Sequence, residues 1–167
     1  MRREETYSVT NAAVLPSKLI GFVKSYYPLS PSSPLTRPIV EPLPSGTISY
    51  PTIRKAYHAA RTQDLGLKAR IVSCRSNAEL LEVVSTIVDR PEWDLIKERV
   101  MMRLIREKFS DPSHKRLLLA TADTVLIHRS ESNDTYWGTD ANGEGHNRYG
   151  HLLMKYRNEL RREAMTA

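Results

Sequence analysis

The chain has 167 residues, with 25 Lys and Arg against 19 Asp and Glu, a formal charge of +6 and a pI near 9.5. That length suffices for one domain burying about two-thirds of its unfolded surface without staples, and the single cysteine, Cys74, excludes an internal disulfide framework and fits a reducing compartment. No apolar run approaches a membrane span and the first residues lack an apolar signal core, so the expectation is a soluble cytoplasmic protein, or a component of a particle assembled in the cytoplasm, with no membrane partner.

Residues 1–18 carry no strong pattern and read as an arm, with one domain over 19–167. Leu19 to Lys24 reads as a short strand. Prolines at 28, 31, 34, 38, 42 and 44 predict an extended surface segment over 28–44. A further strand is expected at Ile48 to Tyr50, then a helix over Thr52 to Asp64. Ser76 and Glu79 form a capping box that opens a helix whose apolar face is Leu80, Leu81, Val84, Ile87 and Val88. The stripe Trp93, Ile96, Val100, Leu104 predicts a long helix to about Phe109, and Asp111-Pro112 starts another through Leu118. A strand at Thr124 to Ile127 precedes a final helix with Tyr149, Leu152, Leu153, Tyr156 and Leu160 on one side. The fold class is therefore α+β, mainly helical with a few short strands.

The excess of basic residues would suit an anionic partner, but the basic side chains of the long helices alternate with Glu98, Glu107, Glu159 and Glu163, the mixture of a solvated face. A nucleic-acid partner is thus possible but unsupported by any motif. Asp140, Asn142, Glu144 and Gly145 resemble half a calcium loop, yet His151 stands where the bidentate Glu belongs, and the histidines lack zinc spacing. No metal and no cofactor is expected.

The densest information lies in the last third, Asp134 to Arg162. Asp134, the pair Tyr136-Trp137, glycines 138, 143 and 145, then Asn147 and Gly150 opening an amphipathic helix, form an ordered series of special residues. Read as a ligand site, Trp137 supplies a stacking face, Gly138 and Gly145 let backbone N–H groups approach an anion, and the helix start adds partial positive charge.

The series Asp-x-Tyr-Trp-Gly, Gly-x-Asn-x-x-Gly, Leu-Met, Arg resembles the closing motif of the NADAR family, N-glycosidase-like (YbiA-like) domains linked to riboflavin-pathway intermediates and ADP-ribose chemistry. The resemblance runs from about Ile20 through Tyr26 to Ser30, Tyr50 to Thr52, Ala56-Tyr57, Ala59-Ala60, Trp93-Asp94, Met101, Lys108-Phe109 and Leu117 to Thr121. It implies a ligand site built from Tyr57, Tyr136, Trp137, Gly138, Gly145, Asn147 and Gly150, with Asp134 and His128 as candidate catalytic groups and an ADP-ribose-like nucleotide as candidate ligand. Three positions depart from the pattern. Arg54 and His128 stand where the family carries acids, and Pro31-Ser32 replaces Asn-Phe. Cleavage of an N-glycosidic bond develops positive charge on the sugar, which a carboxylate stabilises and a fixed guanidinium opposes. The resemblance therefore implies a divergent member with impaired catalysis, serving as a ligand-binding module or as a structural subunit of a larger assembly; an active N-glycosidase using Asp134, with His128 as acid or base, is the alternative.

Overall fold

A computed structural model describes residues 15–167. The expected arm lies largely outside the described residues. The first element, β1 (Lys18–Ile20), pairs in parallel with β4 (Val125–Ile127), in the register Lys18 to Val125 and Ile20 to Ile127. The expected strand from Leu19 stops early because Gly21 turns the chain (φ 70°) into a 3-10 helix over Lys24–Leu29.

The proline-rich stretch departs from expectation. Its first part packs, with Leu29 and Ser33 buried, and its second forms the hairpin β2 (Ile39–Leu43) and β3 (Gly46–Tyr50). Pro42 is tolerated because each strand of a two-stranded sheet has a free edge that does not need its missing N–H. The segment is anchored from three sides. Lys108 Nζ donates to Ser30 O (2.7 Å), Tyr149 Oη donates to Leu29 O (2.8 Å), and Arg54 N donates to Pro31 O (2.9 Å).

Helix α1 (Ile53–Ala60) starts at Thr52, whose side chain accepts the Lys55 N–H. The helix expected over 52–64 ends early, at Ala60, and Asp64 instead caps a second helix, α2 (Leu65–Ser73), that was not expected. Ser76 caps α3 (Asn77–Ser85). That helix ends before Val88, which is 86% exposed and no part of an apolar face. Helix α4 (Trp93–Lys108) runs through the middle of the molecule and buries Trp93, Met101, Leu104 and Ile105 against α1 and α6. Asp111 caps α5 (Pro112–Ala120), and α6 (Arg148–Thr166) closes the domain over β4, α4 and α5, burying Tyr149, Leu152, Leu153 and Leu160.

The architecture is α+β and mainly helical around one core. Among the described residues no helix is long and apolar enough to cross a membrane. Many charged surface groups pair locally, as in Arg61–Asp89, Lys97–Asp94, Arg106–Glu159 and Arg161–Asp123.

Candidate active site

A cavity of about 400 Å³ opens where the loop after β4 faces α1 and α3. Its floor is Tyr57, Met101, Trp137 and Tyr149; its rim carries Arg54, His58 and Arg61 from α1 and its end, and Ser130, Glu131, Ser132 and Asp134 from the loop.

That loop owes its shape to Asp134. Its Oδ1 accepts the N–H groups of Tyr136 and Trp137, both at 2.9 Å, and its own N–H donates to Ser130 Oγ. The second carboxylate oxygen has no partner among the described residues. Trp137 is 8% exposed, not the open platform expected from sequence; its Nε1 donates to Tyr57 Oη at 2.9 Å, and its ring meets Tyr57 and Tyr136 edge-on. Burial pushes the Tyr57 phenol up to about 12, so it stays a hydrogen-bonding hydroxyl. Tyr136 lies outside the main cavity, against a shallower hollow shared with Asp94 and Lys97. Its hydroxyl donates to Glu98, which also grips Arg148 through two 2.7 Å bonds.

The other residues singled out from sequence are brought to this loop but hold it rather than line it. Asn147, in the left-handed region at φ 48°, accepts the His128 N–H on Oδ1 (2.8 Å) and donates Nδ2 to Leu126 O (2.9 Å), tying β4 to the start of α6. The N–H groups of Asn147, Arg148 and Tyr149 bond to the carbonyls of Gly138, Tyr136 and Trp137. The start of α6 is therefore occupied by the chain itself and does not offer its N–H groups to an anion. A Cβ at Gly138 would sit 2.6 Å from His128 O, at Gly145 2.3 Å from Gly138 O, and at Gly150 2.3 Å from Leu126 O. These glycines let backbone meet backbone. In the half-calcium loop, Asp140 spends Oδ1 on the N–H groups of Asn142 and Glu144.

His128 does face the cavity. Its ring stacks on Phe22 (centroids 5.9 Å) and meets Tyr149 edge-on, and neither nitrogen is hydrogen-bonded by a described residue. Burial lowers its pKa to about 4, Asp134 raising it and Arg54 lowering it in smaller measure. His58 is lowered further, to about 3, by burial and then by Arg61 and Arg54. Both imidazoles are neutral near pH 7, so His128 holds too little proton there to be a general acid; it contributes a neutral polar wall.

Two features escaped sequence reading. Glu131, an isolated acid in a serine-rich loop, lines the same cavity as Asp134; its carboxylate lies 3.5 Å from Arg54 Nη1 and accepts from Asn77 Nδ2 at the start of α3. Arg54 faces Glu131 and feels the field of Asp134, both of which favour its charged form against the larger effect of burial. The guanidinium is thus paired with one carboxylate, Glu131, instead of standing alone.

Comparison with known proteins fits this geometry. Over 72 residues, 42% of this chain and 44% of theirs, the chain is similar to N-glycosidase YbiA of Shigella flexneri (47% identity) and of Escherichia coli (46%). Over 152 residues, 89% of this chain and 38% of the other, it is 30% identical to a riboflavin biosynthesis protein of Vibrio vulnificus. These matched stretches span less than half the length of the curated relatives. The fold is similar to the NMR structure of Escherichia coli YbiA, with a TM-score of 0.69 and 28% identity over 90% of this chain and 87% of that one. Residues 21–161 match the NADAR domain, and the chain belongs to that family.

Proposed function

We propose that the protein is an N-glycosidase that hydrolyses the bond between a ribose C1 and the nitrogen of an amine or base. The observation carrying this reading is the meeting of Asp134 and Glu131 in one cavity beside Trp137 and Tyr57. Glu131, 3.5 Å from Arg54, offsets part of that cation's charge and leaves Asp134 free to face the sugar. The C1–N bond breaks with its electron pair leaving on nitrogen, and positive charge spreads over C1 and the ring oxygen. The free oxygen of Asp134 stabilises that charge and takes a proton from the attacking water, which passes to the departing nitrogen. The relatives' names, N-glycosidase and riboflavin biosynthesis protein, support the reaction class.

A second reading, ligand binding without turnover, is favoured by the mostly buried Arg54 in the cavity wall, its side chain 13% exposed. Use of the proline-rich segment as a free docking arm for an assembly has less support, since that segment packs into its own core. The deciding experiment is chromatography of products from ribosylamine and ADP-ribosylated substrates. Hydrolysis is expected, and Asp134→Asn, which keeps the Oδ1 acceptor of the turn, lowers kcat by about 10²–10⁴-fold. Wild-type protein that binds these compounds without releasing base or amine establishes the second reading instead.

A further inference from the structure

Asp134 is held in a stretch with little packing of its own. Residues 131–135 are exposed, and burial resumes at Tyr136 and Trp137, whose N–H groups fix Asp134 Oδ1. Where those two residues sit therefore decides where the other oxygen of Asp134 points. Tyr136 is gripped from three directions. Its hydroxyl donates to Glu98 Oε1 of α4 at 2.7 Å, Lys97 Nζ stands 4.1 Å over its ring, and its carbonyl accepts the Arg148 N–H at the start of α6 at 3.1 Å. Glu98 closes the circuit through two 2.7 Å bonds from the Arg148 guanidinium, a bidentate geometry that adds direction as well as attraction. The side chains of Arg148 and Glu98 are 40% and 35% exposed, so the pair adds little to stability. Glu98 is not among the described residues lining the cavity or the outer hollow, which leaves a molecule bound in either beyond its direct reach. A directional clamp that stabilises the fold little has its effect in geometry.

We propose that Glu98 is a positioning residue for the hydrolysis, acting through Tyr136 to set the place of Asp134's free oxygen. This rests on the N-glycosidase reading given above. Tyr136 lies two residues after Asp134 and its ring meets Trp137 edge-on at 5.0 Å, so a shift of the phenol moves both the turn that Asp134 closes and the indole on the cavity floor. Loss of the Glu98 acceptor frees the Tyr136 hydroxyl to turn to water and unties Arg148 from α4. A displacement on the order of 1 Å at a reacting group can cost about 100-fold in rate, although the fold is hardly weakened.

The test is steady-state hydrolysis of the ribosylamine substrate by variants of the full chain. Glu98→Ala is expected to lower kcat by about 10- to 100-fold with KM and the thermal midpoint nearly unchanged, and Tyr136→Phe, which removes one hydroxyl, to lower it several-fold. In an Asp134→Asn background, Glu98→Ala should cost little more, because the group it positions is already gone. Glu159→Ala, which breaks the ion pair to Arg106 further along the same two helices, is the control expected to leave kcat unaltered. Should Glu98→Ala not fold, Tyr136→Phe alone and in the Asp134→Asn background answers the same question. An unchanged kcat in both variants, a loss confined to KM, an equal loss in Glu159→Ala, or an undiminished loss in the Asp134→Asn background each overturn the proposal, and with hydrolysis by the wild type intact they leave the glycosidase reading standing. If the wild type hydrolyses nothing, that reading falls instead, and amide exchange of Tyr136 and Trp137 followed by NMR decides the clamp. Faster exchange in Glu98→Ala supports it, and unchanged exchange overturns it.

Discussion

Asn147 shows what a special residue in a motif can be for. Its left-handed backbone and glycine-rich surroundings resemble an anion cradle in sequence, yet the side chain spends both polar atoms on the backbone of β4 and on His128. Asparagine is among the few residues that adopt this conformation at small cost. Asn147→Ala strands a buried N–H and a buried carbonyl, and should lower stability by roughly 2–4 kcal/mol. Urea unfolding followed by circular dichroism measures this, and a loss under about 0.5 kcal/mol would mean that solvent reaches those groups. Sequence alone marks Gly138, Gly145, Asn147 and Gly150 as constrained, because backbone approaching backbone and backbone approaching ligand select the same residue types. It does not say which of the two is present. Glu131 was illegible for the opposite reason. Nothing local distinguishes an acid held by partners from a solvated one, and its contacts arise only when α1 and the start of α3 bring Arg54 and Asn77 beside it.

At the scale of elements, capping chemistry made the starts of α3 and α5 legible: Ser76 and Asp111 accept N–H bonds from the first turn. The separate helix α2 was missed because Asp64, read as the end of one helix, is instead the cap of the next. The hairpin in the proline-rich segment was hidden because proline content argues against strands in general and not against a two-stranded edge. What fixes the packed part of that segment is Lys108, buried at the end of α4 and bonded to Ser30 O and Ser33 Oγ. Burial lowers its pKa from 10.5 to about 7. The unfolded chain therefore binds a proton that the folded chain lacks between about pH 7 and 10.5, and stability rises with pH across that window. His58 and His128 act in the same sense at lower pH. Their folded values near 3 and 4 lie below the ordinary 6.5, so stability falls as pH drops through 6.5. Tyr50, Tyr57 and Tyr149 are raised by burial and reverse the slope above about pH 10. The urea midpoint is expected to climb from pH 5 to 9, with Lys108→Met flattening the part above pH 7 while lowering stability throughout. A midpoint that falls between pH 7 and 9 in the wild type contradicts the account.

At the scale of the molecule, the α+β class was legible because the apolar stripes of α4 and α6 are long and regular, and Tyr57, His128, Asp134 and Trp137, singled out through the family resemblance, do line one cavity, whereas its walls from α3 and the Glu131 loop were not legible, since they come from segments far apart in the chain. Its floor is also the core: Tyr57 touches both Trp93 and Trp137, with ring centroids 5.2 Å apart in each case, and Met101 and Tyr149 belong to the same buried cluster. The chain has only two tryptophans, so its intrinsic fluorescence reports on this one locale while far-ultraviolet circular dichroism reports on all the helices. A site whose floor is the domain core cannot melt before the helices packed on it. In urea the two signals should share one midpoint and one slope, as a two-state domain requires. Fluorescence that changes at clearly lower urea than the helical signal would show that the loop carrying Trp137 opens as a separate unit of low stability. The cavity would then form only in part of the folded population, and apparent affinity for any ligand would be reduced by that fraction.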